Sequence, residues 1–152
     1  EVFSELIQFK KLTERQTYKN IYKDGKPQED IASAFLINFL SSRSYREIPV
    51  KGGKSDVLVF NKEGRYLYEL KIWRGPKYFT QGLEEIKEYI QGEDDDKKLA
   101  AIFYVIFDPT KTSAAREYLN SDFSFEIVEN RTVRIILINI NPKQPSNQEY
   151  FN

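Results

Sequence analysis

Charge placed inside a hydrophobic hairpin is the feature that most constrains this chain. Residues 54–73 read K-S-D-V-L-V-F-N-K-E-G-R-Y-L-Y-E-L-K-I-W. Two runs rich in aromatic and β-branched residues, 56–60 and 65–73, flank the turn Asn61-Lys62-Glu63-Gly64, a pattern that predicts a β-hairpin. Asp56 opens the first run, and Glu69 and Lys71 lie deep in the second. Side chains two apart in a strand share a face, about 6.6 Å apart along it. Glu69 and Lys71 therefore point the same way, and a hairpin can bring Asp56 beside them. Two carboxylates and an ammonium at one end of an apolar hairpin are costly to bury unless something pairs them. A divalent metal ion would do so.

The [DE]-x-K pattern is weak alone, since it recurs at Asp24, Glu85, Asp95 and Asp96. Those copies fall in a turn, on a helix and in a charged loop. Only Glu69 lies in a strand that follows, after one turn, a strand opened by Asp. The bland alternative is a salt bridge on an edge hairpin, a common way of blunting a sheet edge.

Asp56 with Glu69-Leu70-Lys71 resembles the PD-(D/E)XK nuclease superfamily. The stretch W-R-G-P-K-Y-F-T-Q-G-L-E-E-I-K-E-Y-I, leading into K-L-A-A-I-F-Y-V-I-F-D, extends the likeness over residues 29–108. Ser55 stands where the motif's Pro would be, a position that varies widely in the superfamily. The resemblance implies a restriction-endonuclease-like α/β fold with an αβββαβ core, a mixed sheet flanked by helices, an extra N-terminal helix and extra C-terminal strands. It implies metal-dependent hydrolysis of nucleic-acid phosphodiesters, with DNA favoured. Asp56 and Glu69 would bind Mg²⁺ or Mn²⁺ with the Leu70 carbonyl as a further ligand, and Lys71 would stabilise the transition state. Many members carry a Glu on the first core helix that faces the metal, for which Glu29 is the candidate and Asp30 the second choice. A Gln early in the helix after the D/E-x-K strand is another recurring feature, and Gln81 fits it. Many such nucleases dimerise, but nothing in this sequence marks an interface.

Composition narrows the chemistry. The chain has no Cys and no His, which excludes disulfides, Cys nucleophiles, His bases, Ser-His-Asp triads and ordinary structural zinc sites. The remaining carboxylates favour hard ions. Net charge is zero, whereas dedicated nucleic-acid binders are usually basic. A local basic rim is still available from Lys51, Lys54, Arg74 and Lys77, suited to contacts with phosphate. Trp73, Tyr78 and Phe79 could stack on bases, although core packing is the expectation for Trp73. No apolar run approaches membrane-span length, and a cytoplasmic location is expected. The chain has no Met and begins at Glu1, so it is expected to be one domain of a longer protein. That leaves a second functional class: a catalytically silent nuclease-fold module serving binding or regulation, fused to or partnered by an ATPase-like domain.

Along the chain, helical spacing covers 2–22, broken by Asp24-Gly25-Lys26-Pro27. A second helix is expected over 29–40 and a strand over 44–50, followed by the hairpin. After it, Arg74–Tyr78 reads as a loop and 79–91 as an amphipathic helix, with Glu84, Glu85 and Glu88 expected to be solvated. Residues 92–98 form a charged loop without EF-hand spacing. Residues 99–107 read as a central strand covered on both faces, 113–119 as a short helix, and 123–128 and 132–140 as strands around Asn130. A single domain over 1–140 is followed by a polar tail or linker, 141–152.

Overall fold

The computed structural model describes residues 2–41, 46–48, 56–61, 64–92 and 99–142, with residues 46–48, Asp56 and Asn61 described through their backbone only. Helix α1 (Val2–Arg15) leads through a 3-10 turn (Thr17–Ile21) to a short hairpin, β1 (Tyr22–Lys23) and β2 (Lys26–Pro27). Then follow α2 (Glu29–Ser41), β3 (Arg46–Ile48), β4 (Asp56–Asn61), β5 (Gly64–Ile72) and α3 (Pro76–Gln91). β6 (Ala101–Asp108), α4 (Ala114–Leu119), β7 (Phe123–Val128) and β8 (Arg131–Asn139) complete the described chain. A six-stranded mixed sheet has the order β3-β4-β5-β6-β8-β7. The β3–β4, β4–β5 and β7–β8 pairs are antiparallel, while β5–β6 and β6–β8 are parallel. Helices cover both faces, so the α/β architecture expected from the sequence is present.

Strand alternation divides the core in two. On β5, Tyr66, Tyr68, Leu70 and Ile72 pack with Phe103, Val105 and Phe107 of β6 under α1 and α2, where Leu6, Phe9 and Leu36 are buried. Leu67, Ile102, Tyr104 and Ile106 face the other way, against Phe79 and Ile86 of α3 and Ala115 of α4. Period-two side chains buried on both faces make β5 and β6 read as nearly continuous apolar runs. Trp73 belongs to the α3 side of the core, as expected. No helix among the described residues is long and apolar enough to cross a membrane.

Three local differences from the sequence reading have identifiable causes. The first helix ends at Arg15 rather than running to Tyr22, because the polar second half supplies too little apolar surface to hold an α-helix on the sheet. Asp24-Gly25 is a hairpin turn as well as a helix stop: both residues have positive φ, 53° and 77°, between the paired Lys23 and Lys26, as two-residue Asp-Gly turns require. Helix α3 starts at Pro76, three residues earlier than its apolar stripe suggests. Proline's fixed φ and missing N–H suit the first helical position, and Gly75 ahead of it adopts a φ of 100°. Lys77 and Tyr78 thus belong to the first turn of α3 rather than to a loop. Residues 143–152, expected to be a tail or linker, lie outside the described residues.

Helix α3 lies so close to β6 at Gly82 that no side chain fits between them. A Cβ there would stand 2.0 Å from the hydroxyl oxygen of Tyr104. That hydroxyl donates to the Phe79 carbonyl at 2.7 Å, and the two rings stack at 4.9 Å. Gly82→Ala is expected to destabilise the fold by about 1–3 kcal/mol, the range for overpacking a core, read by urea denaturation. Unchanged stability would mean that α3 does not sit against Tyr104.

Candidate active site

The hairpin register sets Asp56 directly opposite Glu69. β5 is interior to the sheet, flanked by β4 and β6, so Glu69 and Lys71 do not decorate a sheet edge. They lie on the face of β5 that looks toward α3, between the core residues Leu67 and Trp73. Glu69 is 1 % exposed and Lys71 7 %. Leu70 between them points to the opposite core.

The buried ammonium of Lys71 is met by α3. Its Nζ donates to Glu85 Oε1 at 3.3 Å and stands 3.0 Å from Oε2. It also lies 5.0 Å from the Tyr78 ring centroid, while the Arg74 guanidinium sits 5.1 Å from that ring. Both contacts are in cation–π range. Tyr78 and Glu85 are seven residues apart on α3, two helical turns, so one stripe of the helix presents both to β5. Burial pulls the Lys71 pKa down, but the hydrogen bond and charge of Glu85, with the charges of Tyr78 and Glu29, outweigh it and hold the ammonium above its ordinary value. Lys71 is a fixed cation.

Glu29 reaches the same site from the start of α2. Its Oε1 accepts from the Tyr78 hydroxyl at 2.6 Å and from the Ile72 N–H at 3.0 Å. Burial, then the hydrogen bond and charge of Glu29, push the Tyr78 pKa up, so the hydroxyl stays protonated and donates. One carboxylate thus ties α2, the end of β5 and the first turn of α3 together. Asp30 is exposed, its Oδ1 accepting from the Ile31 N–H at 3.0 Å, which leaves Glu29 as the α2 acid that faces the site.

The other expected residues divide. Arg74 and Lys77 are exposed beside Tyr78, a placement compatible with a basic rim. Lys51 and Lys54 lie outside the described residues. Gln81 is exposed on α3, one turn before Glu85, and it is Glu85 that meets Lys71. The expectation that Glu85 is merely solvated is corrected: its carboxylate is half-exposed, yet it pairs with a buried ammonium. Glu85 was missed as a site residue, and Tyr78 was read only as a residue that could stack on bases, not as a partner of Lys71 and Glu29. The signal available for them was their shared i, i+7 stripe facing the strand that carries a buried Lys.

Among the described residues no group of three or more acidic side chains converges to hold a metal ion, and the side chain of Asp56 is outside that set. The donors that the register brings together, Asp56 and Glu69, are carboxylates, a set suited to Mg²⁺ or Mn²⁺. Comparison with protein-family models, with curated proteins and with solved structures gave no match.

The raised Lys71 pKa carries a signed pH dependence. The native state keeps its proton above the pH at which an unfolded lysine loses it, about 10.4. The resulting stability is complete below that pH and is lost as pH rises through the folded value. Urea denaturation at a series of alkaline pH values is therefore expected to show a steeper loss of stability in the wild type than in Lys71→Met. Parallel alkaline limbs would contradict the ion pair.

Proposed function

We propose that this protein is a metal-dependent nuclease of the PD-(D/E)XK kind, hydrolysing phosphodiester bonds of nucleic acid, with DNA favoured. The observation that carries the reading is the register of β4 on β5, which sets Asp56 opposite Glu69 with Lys71 one residue pair further along the same buried face. The topology supports it. Helix α2, the antiparallel strands β3, β4 and β5, helix α3 and the parallel strand β6 follow one another in the αβββαβ order that the resemblance implies. The alternative of a salt-bridged edge hairpin requires an edge strand and a distant Asp56, and it has neither.

Asp56 and Glu69 would hold the metal ion, with the Leu70 carbonyl as a further ligand. When bound, the ion would supply positive charge that offsets the phosphodiester's negative charge and would promote ionisation of water. Lys71 stays protonated under the influence of Glu85, so its role is electrostatic. A fixed ammonium in a site largely closed to water stabilises charge developing on phosphate more strongly than a solvated one would. It is not the general base, since its pKa moves away from neutrality. Glu85 and Tyr78 position the ammonium, and Glu29 positions Tyr78. Arg74 and Lys77 would meet the flanking phosphates.

One observation favours the second reading, a silent nuclease-fold module that binds or regulates. Lys71 is already neutralised by Glu85, and Glu29 already accepts two hydrogen bonds. A site satisfied from within suits a scaffold as well as a resting enzyme.

Cleavage of single- and double-stranded DNA with Mg²⁺ or Mn²⁺ is expected for the wild type. Glu69→Gln and Lys71→Ala are each expected to lower the rate by at least about 10²-fold, the scale for losing one transition-state contact, with circular dichroism unchanged. Full activity in folded Glu69→Gln would sink the proposal. Calorimetric titration of Mn²⁺ into wild type and Asp56→Ala, with and without a short oligonucleotide, separates the two readings: binding that requires Asp56 supports the enzyme, and no binding by either protein supports the module.

A further inference from the structure

Two helix carboxylates reach the Lys71 site, and they are held differently. Glu29 Oε1 accepts from the Ile72 N–H and from the Tyr78 hydroxyl, so a backbone donor and a side-chain donor both fix it. Glu85 has Lys71 as its one donor among the described residues, through Oε1 at 3.3 Å and Oε2 at 3.0 Å. The side chain of Lys71 is 8 % exposed and that of Glu85 46 %. The ammonium is seated in the fold, while its counterion is half in water.

This pairing conflicts with the use of Lys71 on a substrate. A phosphodiester needs the ammonium, yet both Glu85 oxygens already lie on it. Contact with phosphate requires that Glu85 give way. Simple departure would leave a buried ammonium unpaired, which is strongly destabilising. Exchange avoids that cost. A phosphodiester carries one negative charge on two non-bridging oxygens of a single atom, as a carboxylate does. One anion can therefore replace the other with the charge balance of Lys71 unchanged. The released carboxylate needs no new partner in the protein, because the Glu85 side chain already borders solvent.

We infer that Glu85 occupies the place of the substrate's phosphate in the free protein, and that a nucleic-acid phosphodiester displaces it from Lys71 on binding. The inference rests on the nuclease reading of the site and makes Glu85 a selectivity residue. The cost of breaking the Lys71–Glu85 pair falls on every anion that approaches Lys71. A lone phosphate ion has only that one contact to offset it. A nucleic acid brings flanking phosphates as well, and these meet Arg74 and Lys77, the exposed cations on either side of the Trp73–Tyr78 segment's turn into α3. Glu85 thereby keeps single phosphate ions off Lys71 and yields to a polymer.

Fluorescence anisotropy of a short labelled DNA duplex at low ionic strength, in EDTA to prevent cleavage, tests the inference. Glu85→Gln keeps a carbonyl acceptor against the ammonium and removes the charge. It is expected to bind at least about tenfold more tightly than the wild type, the scale of one charge-assisted hydrogen bond freed for the ligand. Glu84→Gln removes the same charge from the exposed neighbouring position and is expected to bind like the wild type. In a Lys71→Met background Glu85→Gln is expected to give no gain, since the ammonium it would free is absent. Circular dichroism checks that each variant is folded. The wild type alone supplies a second reading: the NMR resonance of the Glu85 carboxyl carbon is expected to move toward that of Glu84 when the duplex is added. Equal affinities of wild type and Glu85→Gln, an equal gain from Glu84→Gln, a gain that persists without Lys71, an unmoved Glu85 resonance in the complex, or no binding by any variant overturns the inference. Failure of the exchange and failure of the nuclease reading remain distinct. A wild type that cleaves DNA but shows no gain in Glu85→Gln keeps the nuclease and loses the exchange, and a Lys71-dependent gain in a protein that does not cleave does the reverse.

Discussion

The fold must accommodate an ionised Lys71, accompanied by Glu69, on an interior strand whose other buried residues are hydrophobic on both faces. An unpaired ammonium in such surroundings would be prohibitively unfavourable, so the surrounding elements are placed to answer it. Helix α3 supplies Glu85 and the face of Tyr78. Helix α2 supplies Glu29, which fixes the Tyr78 hydroxyl. These contacts come from opposite faces of the sheet and meet at the end of β5, where the strand leaves the sheet and its backbone N–H can donate to a side chain.

The same constraint sets how closely α3 must lie. A helix one diameter away could not bring a Glu carboxylate to an ammonium seated at strand level. The missing side chain at Gly82, with the Tyr104 ring beneath it, allows the close approach. The stack of Phe79 on Tyr104 and the hydroxyl bond to the Phe79 carbonyl lock the first turns of α3 in that position. Packing on the α3 side of the sheet and electrostatics at the candidate site are therefore one problem. Glu85 and Gly82 lie three residues apart, so the residue that permits close approach and the residue that uses it share a face.

Much of the architecture was legible in the chain. The aromatic and β-branched runs 56–60 and 65–73 mark a hairpin because they flank a Gly-containing turn. The apolar run at 99–107 marks a strand covered on both sides. Asp56, Glu69 and Lys71 stood out because charge inside such runs is expensive. Other features were not legible. Glu85 reads as an ordinary solvated helix residue because nothing local distinguishes it from Glu84 or Glu88, and only the seating of α3 on β5 does so. Gln81 drew attention by its place in a pattern, but the helix brings Glu85 to Lys71. Glu29 and Asp30 are equally good first-turn acids for a helix dipole, and the approach of α2 to Tyr78 separates them.

By itself, then, the sequence determined the order of elements, the two-faced burial of β6, the absence of Cys and His chemistry, and the presence of an acid–acid–lysine set on one hairpin. These follow from periodicity, composition and short-range geometry, which act over a few residues. The tertiary structure decided which carboxylate neutralises Lys71, which α2 acid reaches the site, that β5 is interior, and which strand forms the edge of the sheet. Each of these depends on how elements distant in sequence are brought within a few ångströms of one another. Hydrogen bonds and ion pairs discriminate over that distance, and local sequence pattern does not encode it.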